Sequence, residues 1–306
     1  MTLLLSRADV VDLLTMEDAI GAVENSFRLL GEGRIDPPAI ATVHGDGGGF
    51  HIKAARIREY FAAKVNGNFF SAVPRIKGVI VLADARDGKV LGVLDSIEIT
   101  TLRTAAATAV AATRLARRDA RSVMIIGCGN QGRSHLRAIQ SVRSIERIYA
   151  LDTNRETALA FARDTGARVV VRPVEADIVI TCTPSQSPIL DAAAPGTFIA
   201  AVGADNTEKQ EIAPALMASS KVVTDLTSQC VEIGDLHHAI AAGKMVRGQV
   251  HAELADIVVG KARGRESDDE VLIFDSTGMA LQDVATAAMV YERARAKSRG
   301  LEFAFA

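Results

Sequence analysis

Residues 122–136 read Ser-Val-Met-Ile-Ile-Gly-Cys-Gly-Asn-Gln-Gly-Arg-Ser-His-Leu, and this stretch constrains the fold more than any other. An apolar run of strand length, Val123–Ile126, leads into Gly127, Gly129 and Gly132 and then into a helical pattern. In G-x-G-x-x-G between a strand and a helix, the first glycine permits the tight turn and the second lets a pyrophosphate approach the backbone. The third lets the helix pack close to the strand. The start of that helix, Asn130 and Gln131, offers unpaired N–H groups and a partial positive charge to phosphates. The next strand-like run, Ile148-Tyr-Ala-Leu-Asp152, ends in an acid 25 positions after Gly127 (152 − 127). An acid there accepts hydrogen bonds from an adenosine ribose and repels a 2′-phosphate. Together these features predict a dinucleotide site with NAD(H) favoured and NADP(H) as the alternative. Arg155, three residues beyond the acid, softens that preference.

Size and composition agree with a two-domain α/β protein. The 306 residues suffice for about two domains and a large core. Hydrophobic residues make up 48% without any Trp, which suits a fold built on Ala, Val, Ile and Leu. Lys and Arg number 35 against 37 Asp and Glu, so there is no basic surplus for nucleic acid or a polybasic membrane contact. No apolar run approaches the ~20 residues that span a bilayer. The amino terminus lacks the basic start and long apolar core of a signal peptide. Cys128, Cys182 and Cys230 show no metal or disulfide spacing and read as small buried hydrophobes in a reducing compartment. A soluble, cytoplasmic protein is expected.

Along the chain, Leu3–Leu5 suggest a brief strand. Ser6 with Asp9, and Thr15 with Asp18, have the spacing of reciprocal helix caps, the second opening a helix from Met16 to about Leu30. Pro37-Pro38 enforces extended chain. Five short β-rich runs follow (40–43, 49–54, 60–65, 78–83 and 90–95), as in an antiparallel sheet, with Asp84–Gly88 as a hairpin turn. At Thr100-Thr101 the pattern becomes an alanine-rich helix suited to close packing and to joining two domains. Strands are then expected at 123–126, 147–152, 168–171, 177–183, 197–203, 221–225 and 271–275. Their apolar continuity predicts a parallel sheet buried on both faces. Gly278 to about Arg299 reads as an amphipathic helix that returns to the first domain.

Hydride chemistry also needs a handle for the substrate and a proton donor or acceptor. Arg103, near the start of the alanine-rich helix, could clamp a carboxylate through two parallel hydrogen bonds, or sit in a surface ion pair. Lys53 and Lys64 fall inside predicted strands, as solvated outer-face residues or as functional charges. Asp205 follows the expected strand 197–203, at the carboxyl end where α/β sheets gather ligands; its other reading is a helix cap. Thr183, Ser185 and Ser276 also fall at strand ends, lining a coenzyme or serving turn chemistry. Thr104, beside Arg103, is counted with the coenzyme contacts. His44, His51, His135, His237, His238 and His251 have no ligand spacing and read as surface residues, so no metal is expected. The absence of G-x-S-x-G argues against an esterase.

These residues resemble a known family, that of ornithine cyclodeaminase and μ-crystallin. The resemblance rests on four ordered motifs: Ile99-Thr-Thr-Leu-Arg-Thr-Ala-Ala-Ala-Thr-Ala, the glycine turn, Val202-Gly-Ala-Asp205 with Lys209-Gln-Glu211, and Phe274-Asp-Ser-Thr-Gly-Met-Ala-Leu-Gln-Asp283. His51-Ile-Lys-Ala and Ala62-Ala-Lys-Val are similar to a branch with two spaced lysines. The resemblance spans essentially the whole chain. It implies a Rossmann doubly wound parallel sheet over 114–277 and a discontinuous α+β domain over 1–113 and 278–306. The latter binds substrate and dimerises, its strands closing a barrel with those of a second subunit. It further implies NAD(P) chemistry on a small amino or imino acid. Arg103 and Lys64 would hold and polarise the carboxylate, and Asp205 would exchange a proton with the substrate nitrogen. Two departures stand out. Ala39 follows Pro37-Pro38 where many members have Arg, a loss Lys53 would offset, and Asn206-Thr-Glu-Lys replaces a proline- and glycine-bearing segment. Both argue against ornithine cyclodeaminase itself. The expectation is therefore an NAD(P)H-dependent reductase of cyclic α-imino acids. The alternatives are ornithine cyclodeaminase, an alanine-dehydrogenase-like oxidoreductase and, last, a binding protein for coenzyme or a small acid.

Overall fold

A computed structural model describes residues 1–69, 71–72 and 76–305. Ala306, the last residue of the expected substrate domain, lies outside them. The chain forms two compact units, Met1–Ala106 with Met279–Ala306, and Ala107–Gly278. The boundaries expected from sequence were 113/114 and 277/278.

The first unit opens with β1 (Thr2–Leu5), α1 (Arg7–Leu13) and α2 (Met16–Gly31). Both helices carry the anticipated caps: Ser6 Oγ accepts from Asp9 N while Asp9 accepts from Ser6 N, and Thr15 and Asp18 repeat the exchange. Each exchange satisfies two N–H groups that a helix start otherwise leaves free. β2 (Ala39–Gly45), β3 (Gly48–Ile57), β4 (Tyr60–Phe69), β5 (Ile76–Asp84) and β6 (Val90–Asp95) then run as an antiparallel meander. Gly88, at φ +78°, closes the β5–β6 turn with its N–H on Asp84 O at 2.9 Å. The connecting helix α3 (Ile97–Leu115) begins before the expected Thr100-Thr101. Asp95 Oδ1 accepts the Ile97 N–H at 2.9 Å, so the acid ahead of the threonines supplies the cap. Ala105, Ala106, Ala107, Ala109, Ala111 and Ala112 on α3 are fully buried, the close packing that alanine permits.

The second unit runs through β7 (Ser122–Ile126), α4 (Asn130–Val142), β8 (Arg147–Leu151), α5 (Arg155–Thr165), β9 (Arg168–Val169), β10 (Ile178–Thr181), β11 (Gln186–Leu190), β12 (Phe198–Ala201), β13 (Gln210–Ile212), α6 (Pro214–Ser219) and β14 (Lys221–Thr224). It continues through α7 (Thr227–Cys230), α8 (Asp235–Ala241), β15 (Ala252–Glu253), α9 (Leu254–Val258) and β16 (Leu272–Asp275). Eight of these strands form one parallel sheet in the order β15-β14-β16-β12-β10-β7-β8-β9. β7, β10, β12 and β16 are buried along their whole length, as a sheet covered on both faces requires. The chain leaves β7 toward β8 and β9, then crosses to β10 on the other side of β7. That reversal opens a crevice beyond the carboxyl ends of β7 and β10, the usual ligand position in a doubly wound sheet. β11 and β13 pair apart from the main sheet and were not expected, since Gln-Ser-Pro and Gln-Glu carry little strand signal.

Beyond β16, α10 (Ala280–Ala296) and β17 (Leu301–Phe303) return to the first unit. Its sheet is thus seven-stranded, β17-β1-β6-β5-β4-β3-β2, with β1 parallel to β6. α10 packs on α2, β3 and β4, and Arg293 Nη2 meets Asp18 Oδ1 at 2.6 Å. The expected amphipathic stripe is not what α10 shows, because the polar Gln282, Asp283 and Thr286 are buried along with its apolar residues. No described helix is long and apolar enough to cross a membrane.

Arg265 ties the second unit together, donating to Leu115 O at 2.8 Å, Gly196 O at 3.0 Å, Ser267 O at 3.1 Å and Glu270 O at 2.7 Å. Arg265→Ala leaves these carbonyls short of partners and is expected to cost about 3 kcal/mol. Urea unfolding checks this, as a lower midpoint at unchanged slope.

Candidate active site

Strand register brings the first group of candidates together. Lys53 on β3 and Lys64 on β4 are direct cross-strand partners, so both side chains leave the same face of the sheet. Both are buried, which removes the solvated outer-face reading. Against that face α10 sets Asp283, with no exposure at all. Lys64 Nζ donates to Asp283 Oδ1 at 2.8 Å and stands 2.8 Å from Oδ2. Arg103, from α3, donates through Nε to Asp283 Oδ1 at 3.1 Å and through Nη1 to Gln282 Oε1 at 2.9 Å. It is a buried residue, not half of a surface ion pair. Its Nη2 has no partner among the described residues.

Two cations therefore share one carboxylate in a buried site. Burial first, and then the charges of Arg103 and Lys53, lower the Lys64 pKa to about 7 against the opposing pull of Asp283. Burial works against ionisation of Asp283, but the charges of Lys64 and Arg103 outweigh it and hold the carboxyl below its usual range. A site that keeps an extra buried positive charge is matched to an anionic ligand, and a guanidinium end plus an ammonium is a carboxylate receptor.

In the second unit the glycine turn has the expected form. Gly127 sits at φ +99°, and a side chain at Gly132 would come within 2.1 Å of Gly127 O, so only glycine lets α4 pack this close. Gly129 caps α4 with no side-chain hydrogen bond, and a Cβ there would meet only open space. The helix N-terminus is thus left with N–H groups to offer. Gly127, Gly129, Asp152, Arg155, Thr183 and Ser185 all line one cavity of ≈ 850 Å³ at the strand-order reversal. Asp152 accepts from Cys128 N and from Asn154 N, each at 2.8 Å, and so braces the turn as well as facing the cavity. These residues fit a dinucleotide: a glycine cradle, an uncapped helix start and an acid at the ribose position.

Other candidates fall elsewhere. Asn130 and Gln131 form the first turn of α4 and do not line the cavity. Ser276 is buried with its hydroxyl donating to Asp225 Oδ2 at 3.1 Å, so it serves a strand-end network and not the cavity. Thr104, in the first unit, donates to Thr100 O at 2.7 Å on its own helix. Asp205 precedes β13 and caps no helix; its side chain is 41% exposed and pairs with Lys209 Nζ at 2.6 Å. Among the histidines, His135 departs from the surface reading: it is fully buried, with Nδ1 on Gln131 O at 2.8 Å, because it lies on the inner face of α4.

The sequence pattern of the ornithine cyclodeaminase/mu-crystallin family matches residues 1–298. The alanine dehydrogenase of Archaeoglobus fulgidus is 35% identical over 317 residues, covering 99% of this chain and 98% of that one. An archaeal alanine dehydrogenase dimer with bound NAD superposes with a TM-score of 0.96 at 33% identity, over 100% of this chain and 99% of that one. The Δ1-pyrroline-2-carboxylate reductase of Thermococcus litoralis, in complex with NADH and L-proline, superposes with a TM-score of 0.95 at 30% identity, over 99% and 100%. The chain belongs to the ornithine cyclodeaminase/mu-crystallin family.

For this family member the sequence reading omitted two acids from the site. Asp283 closes the Phe274–Asp283 motif, yet on the sequence it is one acid in a helical run; only packing shows that it meets Lys64 and Arg103. Glu211, fully buried, accepts from Thr181 Oγ1 at 2.7 Å, Thr183 N at 2.6 Å and Gly203 N at 2.8 Å, and so fixes the Thr183 end of the cavity. Removing Asp283 leaves buried cations without their anion, a change that costs about 3–5 kcal/mol. Asp283→Asn is expected to lower the unfolding free energy by that amount at pH 6. By pH 9 the loss shrinks, because wild-type Lys64 has shed its proton above about 7 and less ion-pair energy remains to lose. Urea titrations at the two pH values check this.

Proposed function

We propose that this chain reduces α-imino acids with NADH, cyclic ones of the Δ1-pyrroline-2-carboxylate type foremost, by hydride transfer to the C=N carbon. The observation that carries this reading is the buried Lys64–Arg103 pair sharing one carboxylate, Asp283. The first unit holds the substrate: Arg103 Nη2 and Lys64 Nζ take its carboxylate, and Lys53 adds positive charge beside them. The second unit holds the coenzyme in the cavity lined by Gly127, Gly129, Asp152, Arg155, Thr183 and Ser185. Bound there, NADH supplies the hydride. Lys64, with a pKa near neutrality, is the group able to protonate the imine nitrogen, and hydride addition to the carbon of the resulting iminium gives the amine. Asp205 acts as an anion toward an iminium nitrogen, since a half-exposed, lysine-paired carboxyl lacks the desolvation a proton donor requires. That revises its expected role as the proton donor.

The similarity to alanine dehydrogenase favours a second reading, amination of pyruvate, in which the same carboxylate clamp holds an acyclic imine. Ornithine cyclodeaminase is disfavoured by Ala39 after Pro37-Pro38. The archaeal alanine dehydrogenase is a dimer, which supports a homodimer here, and we assign the contact to the first unit as the sequence resemblance implies. Three free thiols suit a cytoplasmic location.

NADH oxidation is to be measured over five- and six-membered cyclic imino acids and pyruvate with ammonia, and the release of ammonia and proline over ornithine with catalytic NAD⁺. The cyclic imino acids are expected to give the largest kcat/KM. Pyruvate with ammonia as the better substrate would replace this reading with the second, and no oxidation with any of them would end both. The pH profile follows from Lys64. Its folded pKa lies far below that of a free lysine, so the proton it gives is present below about 7 and absent above. For imine reduction, kcat/KM is expected to fall about ten-fold per pH unit above that point, and Lys64→Arg should abolish this limb.

A further inference from the structure

We infer that Lys209 is a positioning residue for the proposed reaction: it fixes the Asp205 carboxylate in place and keeps it ionised toward the substrate's cationic nitrogen. This rests on the proposed function, in which Asp205 is that anion. Lys209 Nζ donates to Asp205 Oδ1 at 2.6 Å. In a helix, residues four apart meet without further arrangement, but residues 202–209 form no helix. A turn has to bring the lysine back, and Asn206 supplies it. Its Oδ1 accepts from Glu208 N at 3.0 Å and from Lys209 N at 2.9 Å. Lys209 is then held at both ends, because His238 Nε2 on α8 donates to its carbonyl at 2.9 Å. The stem of the loop is pinned as well: Glu211 Oε2 accepts from Gly203 N at 2.8 Å, and Gln210 N donates to Ser185 O at 2.8 Å.

Within this frame the lysine side chain is 15% exposed and the carboxylate 41%. An ion pair that far into solvent contributes little to folding, so the turn and the histidine contact are more than stability alone requires. What the pair does control is where the carboxylate points and which form it takes. An aspartate in a loop has several rotamers open to it, and one held by a fixed ammonium keeps a single direction. The same ammonium favours the ionised form, the form an iminium nitrogen needs. The other acids of the loop are engaged elsewhere. Glu208 accepts from Gln186 Nε2 at 3.2 Å, and Glu211 is buried against Thr181, Thr183 and Gly203.

Steady-state kinetics of the full chain, with NADH and the imino acid it reduces fastest, test this. Lys209→Met is expected to lower kcat/KM about ten-fold while NADH affinity, read by calorimetry, stays unchanged. The acid limb of the kcat/KM profile is expected to move up by about one pH unit, because Asp205 without its ammonium keeps a proton to higher pH. Lys209→Arg retains the charge and should restore both. In an Asp205→Asn background Lys209→Met should cost nothing further, since the lysine acts only through that carboxylate. If the Met variant loses NADH binding, Lys209→Gln takes its place in the same comparison. With the wild type active, the inference is overturned if the neutral variant leaves both rate and acid limb unmoved. It is equally overturned if that variant costs as much in Asp205→Asn as in the wild type, the mark of a merely structural role. A wild type that binds NADH yet reduces no imino acid ends the proposed function, and the inference with it.

Discussion

Asp283 carries a negative charge in a place with no solvent exposure, and the first unit is arranged so that this charge has company. Taking a carboxylate and two cations out of solvent costs several kcal/mol for each ion, recovered only where the geometry is close and further hydrogen bonds complete it. Contacts of 2.8 Å to Lys64 and 3.1 Å to Arg103, with Gln282 beside them, meet that demand. A hydrophobic cluster in the same volume would hold β3, β4, α3 and α10 together at least as well. The register makes the point sharper, because Lys53 and Lys64 lie directly opposite each other, a pairing that like charges disfavour. A fold that keeps this arrangement gives up stability for a charged receptor.

The second unit solves a different problem by different means. Its ligand must be met by backbone, so the sequence removes side chains at Gly127, Gly129 and Gly132 and uses acids to hold the bared chain ends in place. Asp152 braces the glycine turn, and Glu211 joins the end of β10 to Gly203. Glu211 has no ion-pair partner among the described residues: burial pushes its carboxyl up, and the N–H and hydroxyl donors around it work the other way. Asp235 in turn accepts from Glu211 N and Ile212 N at 2.8 Å each, and burial raises its pKa to about 7. Glu211 and Asp235 shape the crevice without lining it, which is why they escape a search for ligand-facing residues.

Much of this was legible because local chemistry decided it. The two helix caps, the glycine turn, the acid ending β8 and the apolar parallel strands each follow from residues within a few positions of one another. What was not legible depends on distant packing. The start of α3 was misplaced because Asp95, not the threonines, caps it. His135 reads as polar on the sequence and is buried because α4 turns that face toward the sheet. Lys53 and Lys64 left two readings open until register and burial closed one of them. Asp283, 180 residues from Arg103 along the chain, could join the site only through the return of α10. Arg172, which lines the coenzyme cavity, had no local signal at all, since only the segment after β9 carries it there.

The balance of charges around Lys64 also bears on the direction of the chemistry. Burial, Arg103 and Lys53 all drive the ammonium toward the neutral amine, and Asp283 is the one group that resists. Without that carboxylate the Lys64 pKa would fall further, leaving less proton to give and less positive charge in the cluster. A lysine balanced near 7 instead exists in both forms at working pH. On the proposed function, the ammonium would protonate an imine and the amine would take a proton as an amino acid is oxidised, so that one side chain would support either direction.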